Sequence, residues 1–311
     1  MKQMAAGALG LALGMMTNGT ALADTFGTGA NTFTIDFVGI GNTSNEADTT
    51  TNFGAVPYAY RVGTYEISQD AITKATASGM ANVTAGAWSG TQPAASISWY
   101  EAAAFVNWLN TSRSRQRAYD LTYSGGWSMN LWSSDQAWEA GGVNLYRHKD
   151  AFYFLPSENE WYKAAYYNPG GSNYFDYPTA SDIEPTPVAS GTSAGTAVYK
   201  NSTDTQPAIV DSAGGLSPYG TMGQGGNVVE WTESAYGGAN NSSSEDRTIR
   251  GGDWNSSEFD LLSGLRSNVG PSGEGTGLGF RVASVPEPST AFMILIPVGA
   301  WLLRRRRSRS L

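Results

Sequence analysis

The sequence predicts an α+β domain that is rich in loops and poor in long regular elements. Three observations carry this. Glycine supplies 38 of 311 residues and charged residues only 15%, while apolar residues reach 41% and aromatic ones 12%. That composition can build a core but suits neither a helical bundle nor a disordered chain. Two helix starts are well marked, and short strand-like pieces separated by turn residues surround them. No fixed-period repeat occurs, and the Gly/Ser stretches read as loops rather than linkers, so one domain is expected.

Residues 1–23, MKQMAAGALGLALGMMTNGTALA, place Lys2 before an apolar stretch to Met16, then small residues at Ala21 and Ala23. This is the pattern of a secretory signal cut after Ala23. Residues 24–57 form an N-terminal strand region. In NTFTIDFVGIG, Phe33, Ile35 and Phe37 alternate with Thr32, Thr34 and Asp36, which predicts an edge strand. YAYRVGTYEIS, 58–68, predicts a second strand leading into a helix. Ser98 and Glu101, then Ser157 and Glu160, have the spacing of capping boxes. Behind the first, Ala102, Phe105, Val106 and Leu109 share a face; behind the second, Trp161 and Ala164 do. The carboxylates at 101 and 160 are therefore expected to be caps rather than general acids. From 167 to 225 turn chemistry dominates, which in a compact domain points to a binding surface or structural ions. GNVVEWTES, RTIRGGDW and LGFRVAS then supply closing strands.

The chain ends in VPEPSTAFMILIPVGAWLLRRRRSRSL. After Pro286, Glu287 and Pro288, the apolar run Ala291–Leu303 is short for a span of about 20 residues. The arginines after it would stay cytoplasmic. The tail, 285–311, resembles the PEP-CTERM sorting signal of Gram-negative envelope proteins. That resemblance implies a short membrane helix before processing, an exosortase-type protease cutting near 286–288, and an envelope or extracellular destination. A plain tail anchor is the alternative. Without Lys2 and the five tail arginines of 19 basic residues, and without Glu287 of 27 acidic ones, residues 24–285 carry a formal charge of about −13. That argues against nucleic acid as a partner.

YRVGTYEIS, ISWYEAAAFVNWLN, FLPSENEWYKAAYY, GGNVVEW, IRGGDW and GFRVAS occur in that order. Together they resemble the formylglycine-generating enzyme, or sulfatase-modifying factor, family over 58–284. The resemblance implies a C-type-lectin-like fold. It also implies an oxidase centre of two copper-binding cysteines, and Ser256 and Leu261 stand at those positions. The chain has no cysteine, so no disulfide, no thiolate nucleophile and no thiolate metal site can form. Serine is a protonated hard ligand that does not replace a thiolate for Cu(I), and formylglycine chemistry is excluded. The single histidine, His148, is flanked by charge in YRHKD and expected at the surface, too few nitrogen ligands for a zinc or iron centre. A Ser256–His148–Asp arrangement has no sequence feature in its favour. Glu258 and Asp260 are expected to be solvated surface.

The resemblance further implies a structural calcium at GNVVEW, held by Glu230 and the carbonyls of Gly226 and Val228. Gly223 replaces the upstream ligand, Val229 the usual tryptophan, and Val198 the first residue of a second site, which weakens both. The alternative pairs Glu230 with Arg250, Arg266 or Arg281. Gly251 and Gly252 are expected to permit close backbone approach, and Gly279, Phe280 and Arg281 to form a buried closing strand. With no catalyst in view, the sequence points to a non-catalytic envelope or matrix protein recognising polysaccharide or peptide. Tyr174, Phe175, Tyr177, Trp254, Ser256 and Arg266 are the candidate contacts, with Trp231 in the core. An oxidoreductase or hydrolase of changed chemistry is the alternative from another class, and a purely structural envelope protein a third.

Overall fold

β2 (Phe33–Ile40) buries Phe33, Ile35 and Phe37 on one face and leaves Thr34 in solvent on the other, as its alternation requires, while Ile40, of opposite parity, is buried in a separate cluster. A computed structural model describes residues 22–200 and 205–286 of the chain. In it β2 is not the edge expected. β1 (Leu22–Phe26) pairs antiparallel along its outer side, in register from Leu22 opposite Phe37 to Phe26 opposite Phe33. β3 (Tyr60–Gly63) pairs with the inner side of β2, and the Ala283–Ser284 and Tyr153–Phe154 strands complete a five-stranded sheet. Residues from both ends of the described chain therefore share one sheet. Asp24, the first residue after the expected signal cut, accepts hydrogen bonds there from Arg61 Nη2 at 2.7 Å and Tyr153 Oη at 2.9 Å.

Three helices follow their sequence signals. α1 (Gln69–Ala77) starts at Ser68, whose side chain accepts from the Ala71 N–H. α2 (Trp99–Thr111) and α3 (Glu158–Tyr166) start at complete capping boxes. Each serine accepts the N–H three residues on, and Glu101 or Glu160 accepts the N–H of its serine, satisfying amides that the helix leaves unpaired. The main core joins Phe33, Ile35 and Phe37 of β2 to Ile72 and Ala75 of α1, the whole length of α2, and Phe280. Phe105 meets Phe280 edge-on at 5.7 Å.

A second sheet carries the functional region. Its order is Ser267–Val269, Arg247–Arg250, Val229–Ala235, Leu278–Phe280. The central strand pairs antiparallel with Arg247–Arg250 and parallel with Leu278–Phe280. Leu278, Gly279 and Phe280 are all buried, as expected. The 167–225 stretch is not featureless: Tyr167–Asn168 pairs with Asn173–Tyr174, and Thr186–Pro187 with Thr196–Ala197. The signal segment before Leu22, Glu287, Pro288 and the apolar tail lie outside the described residues; Pro286 is exposed. Among the described residues no helix is long and apolar enough to cross a membrane.

α3 brings one unpaired cation into the core. Lys163 is fully buried, and its ammonium donates to the carbonyl of Asn42 at 3.0 Å. Burial draws this amine down from 10.5 to about 8, because the charged form loses its hydration. Between those values the unfolded chain binds the additional proton, so the stability contributed by Lys163 is lowest below pH 8 and rises towards pH 10.5. Deprotonation of unfolded tyrosines near 10.0, where burial holds Tyr60 and Tyr119 higher, reverses the overall trend above about pH 10. In urea denaturation, the stability difference between the wild type and Lys163→Met should be constant from pH 6 to 7 and shift in favour of the wild type from pH 8 to 10. A pH-independent difference would show that the amine is not depressed.

Candidate functional site

The turn Thr221–Asn227 enters the second sheet through a crowded backbone crossing. Gly226 has φ of 84°, and a Cβ there would lie 2.1 Å from the Val198 carbonyl; its N–H donates to the Gly251 carbonyl. Gly251, at φ 101°, sits against the Gln224 carbonyl in the same way. Only glycine fits such a crossing. The Arg-Gly-Gly segment thereby holds the outgoing wall of a cleft at a fixed height over the sheet.

The cleft has a volume of about 220 Å³ and is lined by Arg250, Gly251, Gly252, Ser256, Asp260, Leu265, Arg266 and Ser267, with Val229 and Ile249 beneath. One carboxylate organises its cationic side. Glu158, in the first turn of α3, accepts from Arg250 Nε and Nη2 at 2.8 and 2.6 Å and from Arg266 Nε and Nη2 at 2.8 and 2.6 Å. Arg250 is buried and spends its remaining terminal nitrogen on the carbonyls of Ser263 and Leu265. Arg266 is half-buried, with its guanidinium over the Tyr236 ring at 4.1 Å. Two guanidiniums against one carboxylate leave this wall positive, and Asp260 also belongs to the lining. The Asp260 carboxylate caps Ser257, accepting both its N–H and its hydroxyl.

At the two positions implied for reactive cysteines the structure has other uses. Ser256 Oγ donates to Asp253 Oδ1 at 2.9 Å and accepts the Asp253 N–H at 2.9 Å. Leu261 is fully buried beside Tyr177, Ala197 and Tyr199. Neither offers a metal ligand or an activated nucleophile. His148 corrects the expectation of exposure: it is buried, packs edge-on against Trp132 at 4.7 Å, and its Nδ1 accepts the Asp150 N–H. Burial lowers its pKa, and it does not line the cleft. Glu258 and Asp260 also part company, since Glu258 pairs with Lys200 at 2.6 Å, which holds its carboxyl low.

The implied calcium does not fit. Both oxygens of Glu230 are taken by Arg281, Nε to Oε2 at 2.6 Å and Nη2 to Oε1 at 2.5 Å, and Trp161 Nε1 donates to Oε2 at 2.7 Å. Glu230 and Arg281 are wholly out of solvent, so a guanidinium occupies the face a cation would need. Gly226 and Val228 have thus lost the carboxylate they were expected to share the ion with. At Gly223 a Cβ would lie 2.9 Å from the carboxyl carbon of Glu66. Glu66 fills the space of the expected upstream ligand, accepting from Asn227 Nδ2 and the Val228 N–H. Burial, and then the charge of Glu230, push its pKa well up. Val198, the other doubtful position, is buried with its carbonyl accepting the Asn227 N–H. Among the described residues no group of three or more His, Cys, Asp or Glu is placed to hold a metal.

Of the six candidate contacts, the structure brings Ser256 and Arg266 together on the cleft. Tyr177 and Trp254 are each 8% exposed and correct the expectation of stacking platforms: Trp254 packs edge-on against Trp88 at 5.2 Å. Tyr174 is half-buried, with its hydroxyl tied to Asn45 and the Glu46 carbonyl, and Phe175 lies on the same loop, away from the cleft lining. Trp231 is core, as expected. The sequence reading missed Glu158, Leu265, Ser267 and Glu66. Glu158 stands beside the capping residue of α3, and a first-turn acid carries no sign of distant arginines.

Short helices, small sheets and long loops converging on a cleft define a C-type-lectin-like α+β scaffold in its sulfatase-modifying-factor form. The chain belongs to the family of the sulfatase-modifying factor enzyme 1-like domain, which matches residues 33–285. No curated relative matches the sequence. Among solved structures, Treponema denticola variable protein 1 is similar at TM-score 0.58 and 20% identity, covering 86% of this chain and 100% of its own. CarF is similar at 0.56 and 18%, covering 81% and 99%. PvdO from Pseudomonas aeruginosa is similar at 0.53 and 16%, covering 85% and 98%. These likenesses establish the fold.

Glu230→Gln leaves the Arg281 charge buried without its partner and should cost about 3–5 kcal/mol, read from the urea midpoint. Calcium or a chelator should leave the wild-type midpoint unchanged. A calcium-dependent rise would mean that an ion binds after all.

Proposed function

We propose that the chain is a non-catalytic binding module exported to the cell envelope, and that the cleft between Arg266, Ser256, Asp260 and Ser267 seats one unit of a larger ligand. The observation that carries this reading is the state of the two positions where the family resemblance implies cysteines. Ser256 is closed on Asp253 and Leu261 is core, while a cleft remains beside them. A volume of 220 Å³ is below the range of about 300–1,000 Å³ usual for small-molecule sites. It suits a single sugar residue or one side chain of a peptide. Arg266 and Asp260, both in the lining, offer a donor and an acceptor to hydroxyls, and Leu265, 42% exposed, offers an apolar rim. The preferred ligand is a polysaccharide secreted by the producing organism, with an envelope protein or peptide as the other candidate.

The test is calorimetric titration of the purified chain with that polysaccharide. Saturable binding is expected, indifferent to chelator. Ser267→Trp, a change at an exposed rim position, should weaken it at least ten-fold with the fold intact by circular dichroism. Binding that survives Ser267→Trp would remove the cleft from the reading, and no binding at all would remove the polysaccharide. Incubation with a Cys-x-Pro-x-Arg peptide should give no formylglycine product by mass spectrometry, and turnover would overturn the non-catalytic assignment.

A further inference from the structure

A second cleft, of about 210 Å³, shares no lining residue with the first. Its lining comes from Tyr58 and Trp138, from the loop residues 140–143 and 238–240, and from Ser157, Asn159 and Ser234. The two linings meet at the first turn of α3. Ser157 and Asn159 belong to the second cleft, and Glu158 between them holds Arg250 and Arg266 of the first. Ser234 Oγ accepts the Glu158 N–H at 3.0 Å, so a single glutamate separates one lining from the other. Arg266 also donates to the Tyr236 carbonyl at 2.9 Å, and two residues after Tyr236 the chain enters the 238–240 loop.

The side chains of this second lining leave donors to spare. Asn159 Oδ1 accepts the Gly54 N–H at 2.9 Å, and Asn240 Oδ1 accepts the Ala235 N–H at 2.8 Å. Each bond fixes which end of the amide is which, and neither Nδ2 finds an acceptor among the described residues. Ser157 and Ser234 are in the same state. Each hydroxyl oxygen accepts an N–H of α3, from Glu160 and Glu158, and its proton finds no acceptor among the described residues. Arg147 brings no free charge, because Glu160 and Glu233 hold its guanidinium. Tyr58 and Trp138 stand edge to face at 5.2 Å and give the cleft its flat apolar surface. We propose, resting on the binding role assigned to the first cleft, that the second seats another unit of the same ligand. That unit is a neutral sugar rich in oxygen acceptors, so one polysaccharide chain crosses the first turn of α3 and occupies both clefts. Four uncharged donors beside aromatic rings suit such a unit. An ammonium group, which only donates, would meet donors, and the carboxylates on Arg147 disfavour an anion. Two tethered units also bind more tightly than either alone, because the second binds at a high effective concentration.

The experiment titrates the purified chain calorimetrically with the producing organism's secreted polysaccharide and with size-fractionated fragments of it. Asn159→Asp keeps an oxygen for the Gly54 N–H and suits the first turn of a helix, but it replaces the spare donor with a charged acceptor. It should weaken binding of the polysaccharide about ten-fold, with the thermal midpoint unchanged or raised. Ala239→Trp, at an exposed loop position of the lining, should do the same by filling the cleft. Fragments too short to reach both clefts should bind the wild type and Asn159→Asp equally. Binding lost in Ser267→Trp but kept in both second-cleft variants would overturn the second subsite and leave the first standing. A loss in Asn159→Asp that is the same at every fragment length would place Asn159 in support of the first cleft, and would overturn it too. No binding by the wild type would remove both clefts from the reading.

Discussion

Arg281 and Glu230 meet out of water where the second sheet, α3 and the turn at Met222 converge. Arg281 reaches Glu230 through a fork and uses its other donors on the carbonyls of Gly63, Thr64 and Met222. Trp161 of α3 closes the last side of the carboxylate. No single element here is long enough to fix its own position, so the pair does it for four segments at once. Two further buried groups repeat the device. Arg147 bridges Glu160 and Glu233, and Glu158 gathers Arg250 and Arg266. Charge pairs of this kind add little net stability over a well-packed apolar alternative, but removing one partner is expensive. In this fold they bind together segments that have few ladders between them, in a chain where no disulfide is available to do so.

The same kind of arrangement fixes the cleft. The cleft wall is held by Glu158, by the glycine crossing of Gly226 and Gly251, and by the apolar seat of Leu261. None of these depends on a thiol or a metal. Ser256 finds both of its hydrogen bonds within three residues, on Asp253. Leu261 completes a small core instead of reaching the cleft. Arg281 stands in the same relation to the expected ion, since it supplies the positive charge that a calcium would have brought to Glu230.

Local chemistry was readable in the sequence, and non-local pairing was not. Both capping boxes are contacts between residues three apart, so Ser98, Glu101, Ser157 and Glu160 announced α2 and α3 directly. The alternation of Phe33, Ile35 and Phe37 announced β2 and its buried face. The absence of cysteine followed from composition alone. Order along the chain allowed six short motifs to be read together as a family resemblance, although each was weak singly.

The tertiary structure decided what depends on who stands opposite. β2 is internal because residues 22–26, which the sequence offered as the end of a signal and the start of a strand region, cover its edge. Three arginines were open as partners of Glu230, and the parallel pairing of Leu278–Phe280 with the central strand selects Arg281. Tyr177, Trp254 and His148 sit in polar or glycine-rich sequence that suggests exposure, yet loops folded back over them exclude water. Glu66 fills the space above Gly223 from a segment more than 150 residues away. A sequence records which groups a residue can bond; only the closed chain fixes which of them lies within 3 Å, because burial makes every alternative partner unreachable.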